Sequence, residues 1–343
     1  MPEPMYLTDE NLLAAIPALI GFVPVDSLVI VAAVVHTDGT VRLGRTTRFD
    51  LDLAMRLPQR VVTHLDRALG DRPVQRLIGA VVHDPSDSTD LPYRPQLHQL
   101  THRLHESGFV NVELLHLPSF TAGAVWSCYD VADHNGILPD PALSPVTTDR
   151  VANGNRVYSD RATFLTQFLP APADVRDSIA TLADPITEEV QAEELTGDFP
   201  RLRRRLDQLD EAVTAATLGQ LPTAVHEIAE LIAALSSFLL RNIHLIQSTE
   251  ERCGAAQSLW LHLWRHAPAR YAPTMVALTA TTAHLRKDGS TAGAILQHDP
   301  RPTKLSRLVR RWIADGVEPA VVAPDIAAVA QQLRATLTSP AEN

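Results

Sequence analysis

The stretch LLAAIPALIGFVPVDSLVIVAAVVHTDGTVRLGRTTRFD, Leu12 to Asp50, decides how the fold opens. Its apolar beginning predicts a helix over Glu10 to Ile20, capped by Asp9, with Pro17 as a kink or an early end. Gly21 and Pro24 punctuate the entry to Leu28–Val35, a β-branched run of strand length. Thr37-Asp38-Gly39 is a hairpin turn signal, so Val41–Phe49 is expected to return antiparallel.

Working outward, Leu57, Val61, Leu65 and Leu69 recur at fourfold spacing and predict a helix over Leu53–Leu69. Arg76–His83 then reads as a short buried strand, Gln96–Ser107 as a helix, and Val110–Leu117 and Gly123–Tyr129 as strands. The order α-β-β-α-β-α-β-β demands an α/β domain with a mixed, partly parallel sheet, its central parallel strands joined by right-handed crossovers. That domain is expected over residues 1–168. Residues 169–200 are acidic and rich in proline and read as a connector. Residues 201–340 read as an all-helical, repeat-like domain. Its longest helix is expected over Thr223–Gln247, with Val225, Ile228, Ile232, Leu235, Leu239 and Ile243 on one stripe. Breaks at Asp288-Gly289 and Asp299-Pro300 give the last helices the look of tetratricopeptide-type hairpins.

At 343 residues, 45% hydrophobic and 20% charged, the chain has room for two ordinary cores. No run approaches the ~18 apolar residues of a membrane span. The N-terminus carries Glu3, Asp9 and Glu10 and no basic region, so a cytoplasmic protein without membrane insertion is expected. A net charge of −10 argues against nucleic-acid coating. Cys128 and Cys253 lie far apart, which argues against a disulfide framework and a cysteine-ligated zinc; no metal and no cofactor is expected.

Ligands of parallel α/β sheets bind outside the carboxyl ends of the strands. Those ends hold Arg48, Asp50 and Asp52, then His83 and Asp84, then His116. Asp50, His83, Asp84 and His116 are therefore the catalytic candidates, able to supply a base and its orienting acid, with Arg48 as an anion contact. The competing reading is that strand-end polar groups cap turns and pair among themselves. Asp26 and Ser27 precede the first strand and are candidate binding residues, although turn-capping is their commoner role and the G-x-S-x-G elbow is absent. Trp126 is a further candidate for binding, weighed against a place in the core.

His98, His102 and His105 share one helical face, but Gln99, Arg103 and Glu106 make it read as a solvated one. HEIAE at His226–Glu230 starts like a zincin helix and has Glu230 where the second histidine belongs. Lys304, Arg307, Arg310 and Arg311 fall on neighbouring helical turns, so Lys304, Arg307 and Arg311 are binding candidates for an acidic partner. Glycine-rich phosphate-cradling patterns are missing.

LLAAIPALIGFVPVDSLVIV, with Gly21, Phe22, Pro24, Asp26, Ser27, Leu28 and Val29, followed by Arg48, Asp50 and Leu51, resembles an actinobacterial family known as domain of unknown function 4192. Trp126 in VWSCYD, the stretch from Val151 through Gly154 to Arg161, and the tail through SLWLHLWRHAP extend the resemblance over most of the chain. Two features depart from it. The family's cysteine cluster after the Trp strand is missing from Asp130–Pro145, and its Arg-Asp pair appears as Arg241-Asn242. The family carries no established activity.

With no complete catalytic motif and a repeat-like helical tail, the sequence favours a non-enzymatic adaptor with a protein partner. The alternative is a hydrolase-type enzyme using the strand-end group. A nucleic-acid accessory role is the weakest of the three.

Overall fold

The computed structural model describes residues 8–35, 41–70, 74–84, 90–152, 154–245 and 252–338. The chain forms two compact units, one reaching to Phe164 and including Ala314–Gly316, the other formed by Leu165–Ile313 and the residues from Val317 onward.

The first unit begins with α1 (Asp9–Ile20). Thr8 caps it, its Oγ1 accepting from the Asn11 N–H at 3.3 Å, so Asp9 is the first helical residue rather than the expected cap. Pro17 sits inside the helix without ending it. Gly21, at φ 88°, closes it in the left-handed conformation that glycine adopts at no steric cost. Strands β1 (Ser27–Val35) and β2 (Val41–Asp50) pair antiparallel as expected; the turn at 37–39 lies outside the described residues. Two helices follow instead of one, α2 (Leu51–Arg56) and α3 (Pro58–Leu69), because Pro58 lacks the N–H that would continue α2 and opens α3 instead.

Next come β3 (Val74–Val82), α4 (Arg94–Glu106), β4 (Val112–Leu117), β5 (Val125–Cys128) and β6 (Asn135–Ile137). The sheet order is β2-β1-β3-β4-β5-β6. Among the neighbouring strands of this sheet only β3 and β4 pair parallel, joined through α4, and β1 stands between β2 and β3. One face sends Leu28, Ile30, Leu77, Val81 and Leu114 into a core closed by α2, α3 and α4. The other face meets α1, where Arg76 of β3 reaches Asp9. Beyond β6 lie two short helices, α5 (Pro145–Ala152) and α6 (Arg161–Thr166).

The second unit is helical: α7 (Ala173–Thr196), α8 (Phe199–Thr217), α9 (Val225–Ala234), α10 (Phe238–Ile243), α11 (Cys253–His266), α12 (Ala272–Leu285), α13 (Gly289–Gln297), α14 (Lys304–Ala314) and α15 (Pro319–Thr338). The expected connector over 169–200 is instead largely α7. Its Ile179, Ala183 and Val190 are fully buried, and Pro172 and Pro200 mark helix ends rather than a loose link. The expected Thr223–Gln247 helix is broken where the Ser237 hydroxyl accepts from the Leu240 N–H and starts α10. Helix α7 packs chiefly on α9, and α8 on α11; pairing of successive helices holds through α11, α12 and α13 but does not extend through the unit. No helix among the described residues is long and apolar enough to cross a membrane.

Candidate functional site

Because β1 runs against β2 and β3, and β4 runs with β3, the start of β1 and the ends of β2, β3 and β4 share one sheet edge. Asp26, Ser27, Arg48, Asp50, His83, Asp84 and His116 all lie along it. Side chains alternate across the pleat, however, and the register divides the group. Ser27 stands opposite Asp50 and Val82, and Val29 opposite Arg48, which puts Ser27, Arg48 and Asp50 on the α1 face. His83 and His116 belong to the other face, where their rings meet Tyr93 and Tyr129.

On the α1 face the polar groups are used locally. The Ser27 hydroxyl donates to the Val25 carbonyl at 2.7 Å and accepts from Arg48 Nε at 2.9 Å. It is also wholly buried, so Ser27 is a structural post rather than a nucleophile. Asp50 caps α2, accepting from the Leu53 N–H at 3.3 Å, and lies 3.8 Å from the Arg48 guanidinium. Burial above all, and then neighbouring Arg161, lowers the pKa of Arg48, with Asp50 pulling the other way. Asp50 is therefore not a partner of His83 or His116, a correction to the four-residue group expected from strand order.

The core face holds a different arrangement. His83 Nδ1 lies 2.7 Å from Asp26 Oδ1, and its ring stands edge-on to Tyr93 at 5.4 Å. His116, 7% exposed, donates Nε2–H to the His83 carbonyl at 2.9 Å. Burial lowers the pKa of His116, only partly opposed by that bond, so a neutral ring holds the His83 backbone in place. Asp84 is exposed, and its charge opposes the lowering at His116.

Asp26 and Tyr93 sit at φ 43° and 60°, two of the three described non-glycine residues in the left-handed region. Such backbones cost on the order of 1–3 kcal/mol each and collect at working sites. The N–H of Leu51, which opens α2, is donated to the Asp26 carbonyl at 3.0 Å and helps hold that conformation. Both strained residues flank His83.

A second polar group, missed in the sequence, lies where β3 and β4 begin. Arg76 bridges Asp9, at 2.9 Å, and Glu113. His134, in the turn between β5 and β6, places Nε2 3.0 Å from Asp9 Oδ2 and Nδ1 3.0 Å from Glu113 Oε1. Buried Cys128 places Sγ 4.0 Å from the same Glu113 oxygen. Glu113, Cys128 and His134 each offer one ligand atom within 4.8 Å of the others, a set that could hold a metal ion. The legible signal was Cys128 ending one strand with His134 in the turn that follows, but a search for paired cysteines passes over it.

Of the remaining candidates, Trp126 is 1% exposed and stands edge-on to His134, so it offers no open stacking face. Lys304, Arg307 and Arg311 are exposed on α14, while Arg310 turns inward to the Leu296 carbonyl.

A family model for a domain of unknown function (DUF4192) matches residues 10–320, and the chain belongs to that family. No curated protein and no solved structure matches it.

Proposed function

We propose that this DUF4192 chain is a hydrolase-type enzyme whose general base is His83, at the carboxyl edge of the sheet. The observation that carries this reading is the 2.7 Å contact of His83 Nδ1 with Asp26 Oδ1, made by an aspartate held in a left-handed backbone. An ionised carboxylate only accepts, so the neutral ring keeps its proton on Nδ1 and leaves the Nε2 lone pair to take a proton from substrate or water. The His83 side chain is 29% exposed, enough to be reached. Asp26 is a positioning residue and His116 supports the backbone beneath the base.

The test is to incubate the full chain with a small-metabolite extract and follow every component by mass spectrometry. Turnover of at least one metabolite is expected, falling roughly 10²–10⁴-fold in His83→Asn, with a loss also in Asp26→Asn. An extract left unchanged by the wild-type chain, or changed equally by His83→Asn, contradicts the reading.

A second reading is favoured by α14. Lys304, Arg307, Leu308 and Arg311 are exposed at spacings that place them on one helical stripe, in a chain of net charge −10. The occupant that fits is an acidic segment of another cytoplasmic protein, and the successive pairing of α11, α12 and α13 supports a hairpin surface of tetratricopeptide type beside it. Affinity purification of the chain is expected to recover one stoichiometric partner. That partner should be lost with Lys304, Arg307 and Arg311 all changed to alanine and weakened by raised salt. Equal recovery with the triple variant rules this surface out.

A further inference from the structure

We propose that the amino-terminal edge of the sheet binds one zinc-class divalent cation through Glu113 Oε1, Cys128 Sγ and His134 Nδ1. The register builds the group. Cys128 pairs with Leu115, which shares a sheet face with Glu113 two residues earlier, so thiol and carboxylate project from the same side. The backbone N–H of Cys128 donates to the His134 carbonyl at 2.8 Å, which folds the imidazole back over that face.

Zinc bonds of ~2.0 Å to nitrogen or oxygen and ~2.3 Å to sulfur set tetrahedral separations of about 3.3–3.5 Å in a set with one sulfur. The observed separations from Glu113 Oε1, 3.0 Å to His134 Nδ1 and 4.0 Å to Cys128 Sγ, straddle that range. Carboxylate, imidazole and thiolate together are a zinc-type set rather than a magnesium or calcium one.

The surrounding groups are arranged as supports for such ligands. A neutral imidazole has one N–H, yet both ring nitrogens of His134 face carboxylates at 3.0 Å. With Nε2–H donated to Asp9, the Nδ1 lone pair faces Glu113 Oε1, a repulsion that a cation between them turns into coordination. Asp9 then orients the ligand from behind, the carboxylate–histidine–metal relay. Arg76 holds Asp9 Oδ1 and Glu113 Oε2, leaving Glu113 Oε1 for the ion. Two carboxylates, a thiolate, one guanidinium and a divalent cation make a neutral group. The competing solution is a doubly protonated His134 closing a metal-free ion-pair network, with Cys128 a bystander.

Cobalt(II) is the probe that separates the two. Added to the chelator-stripped full chain, it should give a thiolate-to-cobalt charge-transfer band that saturates at one ion per chain and is displaced by zinc. Cys253→Ser should keep the band and Cys128→Ser should lose it. His134→Gln, a second variant should Cys128→Ser fold poorly, should weaken it. Asp9→Asn should lower zinc affinity roughly 10–100-fold in a competition with a chelating dye. No band in the wild-type chain, or a band that survives Cys128→Ser, overturns the proposal. His83→Asn leaves the band intact, so failure of the acid–base reading and failure of this one are told apart.

Discussion

Trp260→Ala is expected to destabilise the helical unit by about 3–5 kcal/mol. Trp260 lies on α11, has no solvent exposure, and stands edge-on to buried His244 at a ring separation of 6.0 Å. Helix α11 packs against α8, α9 and α12, so the cavity opens among elements that cannot all collapse inward. The indole N–H finds no acceptor among the described residues. Trp260→Phe therefore abandons no hydrogen bond and should cost less than the alanine change, about 1–2 kcal/mol. Urea unfolding checks both: the midpoint should fall in that order with the slope preserved. An alanine variant within about 1 kcal/mol of wild type would place Trp260 outside the core described here.

Arg205→Met should cost a comparable amount, about 3–5 kcal/mol, for an electrostatic reason. Glu193 of α7 has a side chain only 5% exposed, and its two oxygens accept from Arg205 of α8 at 2.7 and 2.9 Å. Removing the guanidinium strands a buried carboxylate without its partner, which destabilises the fold. Urea unfolding at neutral pH reads the deficit as a lower midpoint. Adding Glu193→Leu to Arg205→Met should recover most of the loss, because a packed apolar pair replaces a buried ion pair at little net cost. A single variant as stable as wild type would mean that water reaches Glu193.

Local pattern carried much of the fold. The β1–β2 pair and the β3–α4–β4 crossover follow from runs of apolar residues bounded by glycine, proline and polar turns, and these were legible. What the pattern could not reveal was register. Asp50 and His83 both end strands, but β1 lies between β2 and β3, and one residue of offset decides which face each side chain takes. Only Asp26 and His83 of the predicted residues make direct side-chain contact on the core face, and the strain at Asp26 and Tyr93 has no signature in residue type.

The connector reading failed because proline at a helix end and proline in a loop look alike in composition; here Pro172 caps α7 and Pro200 lies in the first turn of α8. The apolar stripe of Thr223–Gln247 is real, yet Ser237 competes for the backbone and splits it. The Asp9, Arg76, Glu113, Cys128 and His134 group draws on α1, three strands and a turn, so no spacing rule along the chain could assemble it.

The claim on which the enzyme reading stands is that Asp26 fixes His83 in the Nδ1–H form and frees Nε2. Nitrogen-15 spectra of the imidazole, recorded on the full chain in alkaline buffer, read that tautomer directly. The account predicts a protonated, pyrrole-type Nδ1 and a bare, pyridine-type Nε2 for His83, with the preference lost in Asp26→Ala. A His83 ring protonated on Nε2 in the wild-type chain would contradict it.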